Sequence, residues 1–268
     1  MPLTATDIEL ASQALFEAEK TGKQTGLLSI AHPGMDLDDA YAVQSALIEL
    51  KLNDGRQQIG WKIGLTSKAM QQALGISIPD SGILFDDMLF TNGATIPANR
   101  FIQPRIEAEI AFVMKDNVSG MDATREQIVQ AVDYVVPSLE ILDTRILRSD
   151  PQTGTARKIV DTISDNAANA GIVLGDKRHA MNDCDLRWVG SIVSRNDEVE
   201  ETGLGAGVLN DPVMGIVWLV QRLANYEQGL SAGDIVLSGS FIRPVEAPAD
   251  SHISADFGDF GHVSCHFS

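Results

Sequence analysis

Residues 104–112 read PRIEAEIAF. Apolar and acidic side chains alternate with a period of two, so the segment is expected to be a strand with Glu107 and Glu109 on one face. Ile106, Ala108 and Ile110 share the other. Two neighbouring carboxylates repel each other, and two arrangements make them tolerable. The strand can turn that face to water, as half-exposed strands commonly do, or the pair can hold a cation between them.

Working outward, residues 6–21 place Ile8, Leu10, Ala11, Ala14, Leu15 and Ala18 near one helical face. A second helix is expected after Asp36, a residue suited to the N-cap, running through DDAYAVQSALIELKL to Gly55. From about residue 58 the texture changes to short apolar runs broken by Gly, Pro, Asn and Asp, which reads as strands and turns. TREQIVQAVDYV interrupts them with a capping-box spacing, Thr124 to Gln127, and predicts a helix. Asp211-Pro212 opens another, apolar over most of its circumference and therefore expected to be buried. DIVLSGSF, HISADFG and HVSCHF return to strand signals. Strands distant in sequence must pair, which indicates an α+β fold rather than repeated βαβ units. A helical N-terminal part over residues 1–85 is expected to precede a strand-rich body over residues 86–268.

The 268 residues carry a formal net charge of −17, with 44% hydrophobic residues. That composition supports a substantial core. The charge argues against nucleic acid and against an anionic membrane surface as partners. It also means that a small anionic substrate needs local positive charge to bind. The sequence shows neither a secretory signal nor an apolar run long enough to span a bilayer. Cys184 and Cys265 form no CxxC, so a disulfide framework or structural zinc is not expected, and a reducing cytoplasm is the economical location.

Glu140 changes the weight of the first pair. It stands in VVPSLEIL, a run otherwise almost wholly apolar, where an ionised carboxylate needs a partner. Three carboxylates on facing strands suit Mg2+ or Mn2+, with water and substrate completing an octahedron. The plainer arrangement is an ion pair with a neighbour such as Arg145. In GWKIGLTS (residues 60–67), Lys62 lies between Trp61 and Ile63 and is bracketed by glycines. It either points into a cleft or lays its stem along the surface with the ammonium in water. Asp80, after Pro79, is a turn residue or a catalytic acid. DTISDNAANAG (residues 161–171) shows no periodicity and reads as a loop of the kind that lines sites. GLGAG (203–207) lacks the dinucleotide spacing, and there is no phosphate loop or GxSxG elbow. His262 and His266 share a strand face, but without a third ligand they are expected to be structural.

In this order and spacing, GWKIGLTSKAMQ, PDSGILFDDM, PRIEAEIAF, SLEILDTR, DTISDNAANAG and GDIVLSGSF resemble the hydratase/decarboxylase branch of the fumarylacetoacetate hydrolase superfamily. The similarity runs from about residue 36 to the C-terminus. It implies a mixed-sheet β-roll body and Mg2+ or Mn2+ bound by Glu107, Glu109 and Glu140. It also implies Lys62 and Asp80 beside the substrate, and Ser164 as a substrate contact. One departure is Trp61, where some relatives carry histidine, which would alter the pocket wall. The His–acid dyad of the C–C bond hydrolases has no counterpart. The implied activity is hydration of a 2-hydroxydienoate, or its 2-oxo tautomer, with a carboxylate at each end. Arg145, Arg148 and Arg157 are candidates for holding the distal carboxylate. Decarboxylation of a 4-oxalocrotonate-type acid, hydration of a monocarboxylate pentadienoate, and a non-catalytic acidic binding protein stand as alternatives. The family further implies a homo-oligomer, as large as a decamer built from pentamers.

Overall fold

Thr4 and Asp7 close the first helix with reciprocal hydrogen bonds, each backbone N–H donating to the other's side chain. This computed structural model describes residues 2–68, 71–72, 76 and 78–268; Ala69 and Met70 of the GWKIGLTSKAMQ motif and Ser77 before Asp80 lie outside them. Helix α1 (Ala5–Thr21) is followed by a single turn, α2 (Leu28–Ala31), and by α3 (Leu37–Asn53). Asp36 caps α3 in a second reciprocal box with Asp39, as its position suggests. The long helices pack through Leu15, Val43 and Leu47, with Ile146 of the body closing the cluster.

Thirteen strands follow among the described residues, in two sheets. The larger contains β1 (Gln58–Gly64), β2 (Asp80–Phe85), β3 (Leu89–Thr91), β5 (Arg105–Met114), β6 (Val132–Leu142), β7 (Asn169–Leu174) and β10 (Ile235–Leu237), in the order β2-β1-β10-β5-β6-β7-β3. The short β11 (Val245–Glu246) pairs with the start of β5. The smaller sheet runs β4 (Ala94–Ile96), β13 (His262–Phe267), β12 (Ser251–Asp256), β8 (Gly190–Arg195) and β9 (Glu198–Leu204). Three pairings are parallel, β1 with β10, β3 with β7 and β4 with β13, and the others are antiparallel. The N-terminal 85 residues thus supply two strands, β1 and β2, to the body's own sheet.

The main core lies on one face of the large sheet. Ile63, Ile106, Ile110 and Phe112 meet Val193, Ile253 and Val263 of the small sheet and the apolar flank of α6 (Pro212–Ala224). Asp211 caps α6 and Pro212 takes its first position. Two local expectations shift. Helix α4 (Arg125–Ala131) keeps its Thr124 capping box but stops after seven residues, because Val132 onward enters β6 and pairs with β5. DTISDNAANAG is not all loop, since α5 (Ile159–Ser164) occupies its first part. Among the described residues no helix is long and apolar enough to cross a membrane.

Arg145 is a fixture of this fold rather than a free cation. It is 1% exposed, its Nε lies 2.5 Å from Asp165 Oδ1, and Nη2 donates to the carbonyls of Asp165 and Asn169. Removing one partner of such a pair leaves an uncompensated buried charge, at a cost of about 3–5 kcal/mol. Arg145→Met is expected to lose that much in urea denaturation, and a loss below about 1 kcal/mol, the level of an exposed pair, would refute the assignment.

Candidate metal and substrate site

The register of β5 against β6 sets Glu107 directly opposite Glu140, and Glu109 opposite Ser138. Residues paired in an antiparallel ladder share a face, so the alternation seen in the sequence brings all three glutamates together. One carboxylate oxygen from each lies within 4.8 Å of the others. Among the described residues this is the one cluster of at least three acidic, histidine or cysteine side chains that could hold a metal ion. The pair does not face open water. Glu109 and Glu140 are fully buried and Glu107 is half-buried.

Lys62 reaches the same place from β1. Three inter-strand steps, each of about 4.8 Å, separate β1 from β6. Side chains standing perpendicular to a flat sheet would not meet over that span. Lys62 Nζ nevertheless lies 3.2 Å from Glu140 Oε1, so the sheet curls around the site. Asp80, at the start of β2, is on the same face, two residues from the Gly82 that pairs with Lys62. Gly64 makes room for this pair, because a Cβ there would overlap Asp80 Oδ1 and approach Lys62 Nζ.

Glu109 and Glu140 are each partly tied and partly free. Glu140 Oε1 accepts from Asn169 Nδ2 at 2.7 Å as well as facing Lys62, while Oε2 is buried without a partner. Glu109 Oε2 accepts from the Gly239 backbone N–H at 2.8 Å, while Oε1 is also buried and unpartnered. Bare buried carboxylate oxygens are costly, and two of them in a cluster whose carboxylates approach within 4.8 Å are what a hard divalent cation would satisfy. The donor set, all oxygen, fits Mg2+ or Mn2+ rather than zinc.

The electrostatics agree. Burial, then the charge of Glu140, pushes Glu107 up to about 8. The same two causes hold Glu109 well above the ordinary carboxylate range. The cluster thus favours uptake of positive charge, as protons or as a metal ion. Burial works against the Lys62 ammonium, but Glu140, Asp80, Glu107 and Glu109 outweigh it and raise its pKa above the usual value. The carboxylates around Lys62 thus favour its charged, donating form. Burial also raises Asp80, against the pull of Lys62, and its Oδ1 has no partner. A buried carboxyl poised this way suits proton transfer.

A cleft of about 150 Å3 is lined by Lys62, Asp80 and Glu107 of this cluster and by Arg105, Arg148 and Arg157. Its wall includes Ala167 and Ala168, which with Asn166 form three consecutive left-handed residues, φ 50°, 51° and 61°. Such a run is costly for L-residues. Asn166 holds it in place by clipping β2: its Oδ1 accepts from Ile83 N–H and its Nδ2 donates to Ile83 O. Gly82 permits the approach, since a Cβ there would sit 2.6 Å from the Asn166 carbonyl.

Ser164 is not brought to the cleft. It is fully buried in α5, and its Oγ donates to Val160 O at 2.8 Å. Trp61 points to the face opposite Lys62 and lines a separate cavity beside α3 and α6, so it is not a wall of this cleft. Asn169 and the Gly239 N–H escape a sequence reading. An amide in a run of small residues carries little signal, and a backbone donor carries none.

These residues define an enzyme of the fumarylacetoacetate hydrolase family, to which the chain belongs: residues 62–267 match Fumarylacetoacetate (FAA) hydrolase C-terminal. Within it the chain falls among hydratases. It is 48% identical over 258 residues to 2-oxo-hept-4-ene-1,7-dioate hydratase of Escherichia coli, covering 96% of this chain and 97% of that one. A 2-keto-4-pentenoate hydratase of Paraburkholderia xenovorans LB400 is 41% identical over 238 residues, covering 89% and 86%. Among solved structures, the 4-oxalocrotonate decarboxylase from Pseudomonas putida G7, complexed with magnesium and adipate, superposes with a TM-score of 0.92 at 28% identity over 99% of both chains.

Proposed function

We propose that this enzyme hydrates 2-oxo-hept-4-ene-1,7-dioate, through its 2-hydroxydienoate tautomer, to 4-hydroxy-2-oxoheptanedioate. In this reading Glu107, Glu109 and Glu140 bind Mg2+ or Mn2+. The observation that carries it is the pair of unpartnered buried oxygens on Glu109 and Glu140, in a triad that Lys62 approaches to 3.2 Å and whose third member, Glu107, lines the cleft with Lys62. The 48% identity to a hydratase of that seven-carbon diacid supports the substrate.

The bound ion would supply Lewis-acid stabilisation of the negative charge that develops at the C2 oxygen. Lys62 donates toward the C1 carboxylate and the C2 oxygen. Its positive charge, with that of the divalent ion, balances three glutamates, so an anionic substrate enters a site of about neutral charge. Asp80 carries protons. One transfer moves the double bond into conjugation with the ketone; water oxygen then bonds to C4 while a proton is delivered to C3. The reading extends to a cytoplasmic homo-oligomer; exposed apolar side chains on the paired strands β8 and β9, Ile192, Val199 and Leu204, support the oligomer.

The test follows the ultraviolet band of the dienol with and without chelator and identifies the product by mass. Chelator-sensitive decay with gain of one water is the expected result. Loss of CO2 would instead assign the decarboxylase reaction, and decay indifferent to chelator would remove the metal from the scheme.

A further inference from the structure

Resting on that reading, the geometry points to Arg157 as the residue that recognises the distal carboxylate and sets the preference for a dicarboxylate over a shorter monocarboxylate. Of the three arginines that sequence alone leaves open, Arg145 is consumed by Asp165. Arg148 Nη1 lies 2.8 Å from Glu246 Oε1, a carboxylate it shares with Arg105. Arg157 has no carboxylate within ion-pair distance among the described residues. Its one side-chain hydrogen bond runs from Nη1 to Thr144 Oγ1, 2.7 Å away.

That single bond is an orienting one. Thr144 is buried and donates its own proton to Ile146 O, so its oxygen is left to accept from the guanidinium. The base of the loop is fixed as well. Arg157 N–H donates to Arg148 O, and Asp150 turns the chain by accepting from Gln152 and Thr153 N–H. The remainder of the guanidinium fork is left for a ligand, and a planar fork of this kind pairs bidentately with carboxylate.

Charge at this end of the cleft has the opposite sign to the rest of the protein. Arg105, Arg148 and Arg157 stand against Glu246 and Asp143, and Asp143 is already occupied by the N–H groups of Ile102 and Gln103. Burial, with the charges of Arg145, Arg148 and Arg105, holds Arg157 below the ordinary guanidinium value despite the pull of Asp165. A half-buried cation among cations is stabilised by an anionic ligand. Arg157 is anchored on Thr144, beyond the end of β6, the strand that carries Glu140, so the triad with Lys62 is left for the 2-oxo acid end and Arg157 for the far end. A five-carbon monocarboxylate would use only the first.

Arg157→Gln and Arg157→Ala are to be compared with wild type in two measurements. The first is Mg2+-dependent turnover of the seven-carbon diacid and of 2-hydroxypenta-2,4-dienoate. The second is calorimetric binding of the saturated analogues 2-oxoheptanedioate and 2-oxopentanoate in Mg2+. The diacid-to-monoacid ratio of kcat/KM is expected to fall about 100-fold, mostly through KM, with the ratio of affinities falling in step. Unchanged ratios in both variants overturn the assignment, as does a wild type that binds the two saturated acids equally. A wild type that turns over neither substrate sinks the proposed reaction, and the calorimetric ratio then decides the arginine by itself.

Discussion

Glu140→Gln is expected to fold but to bind Mg2+ at least 100-fold more weakly and to lose on the order of 1,000-fold in kcat/KM. Glutamine has nearly the same shape, so the β5–β6 pairing of Glu107 with residue 140 survives. The chemistry does not. Glu140 Oε1 now accepts from Asn169 and faces Lys62, leaving Oε2 for the ion. With an amide, only one oxygen remains. If it stays with Asn169 and Lys62, an NH2 group points at the metal position. If it flips, two donors confront the Lys62 ammonium. Either orientation opposes a cation, and removing a full negative charge weakens the site further. Calorimetric titration of Mg2+ measures the first effect and steady-state kinetics the second. Wild-type affinity in both Glu140→Gln and Glu109→Gln would dismiss the carboxylate triad.

Lys62→Met is expected to separate the two functions of the site. Turnover should fall about 100- to 1,000-fold, the usual loss when one preorganised donor to a developing oxyanion is removed. Metal affinity should hold or rise. Lys62 sits 3.2 Å from Glu140 Oε1 with its charge favoured by four surrounding carboxylates, and it therefore competes with the ion for the same negative charge. Removing it leaves the triad more negative and more attractive to Mg2+, while the substrate loses its donor. The metal-free variant should be less stable than the wild type, because the buried glutamates lose their counter-charge. The opposite pattern, with metal affinity and turnover lost in proportion, would show that Lys62 only props the triad in place.

The parts of this site that could be read beforehand are those written locally. The period-two alternation of Glu107 and Glu109, and a carboxylate at 140 inside an apolar run, are one-dimensional signals that survive folding. So are the caps at Asp36, Thr124 and Asp211. What could not be read depends on register or on tertiary partners. No local pattern states that residue 107 pairs with 140 rather than 138, because strand pairing also depends on the turn and on the curl of the sheet. Arg145 and Arg157 look alike in sequence; their difference is whether Asp165 reaches them, and that requires α5 to fold where aperiodicity suggested loop. Ser164 failed to reach the cleft for the same reason, since a residue inside a short helix turns its hydroxyl back to the helix. Helix α4 was expected to run longer because VDYV satisfies both periods, and pairing with β5 decided for the strand.

The left-handed run at Asn166, Ala167 and Ala168 has a consequence for tailoring the enzyme. Two methyl groups, carried on backbone that Asn166 pins to β2, act as the calliper of the cleft. Bulkier side chains at 167 or 168 are expected to raise KM for the seven-carbon diacid more than for a five-carbon acid, whereas glycine at either position should relieve the backbone and ease that discrimination. The least comfortable stretch of the chain is therefore also its simplest dial for substrate length.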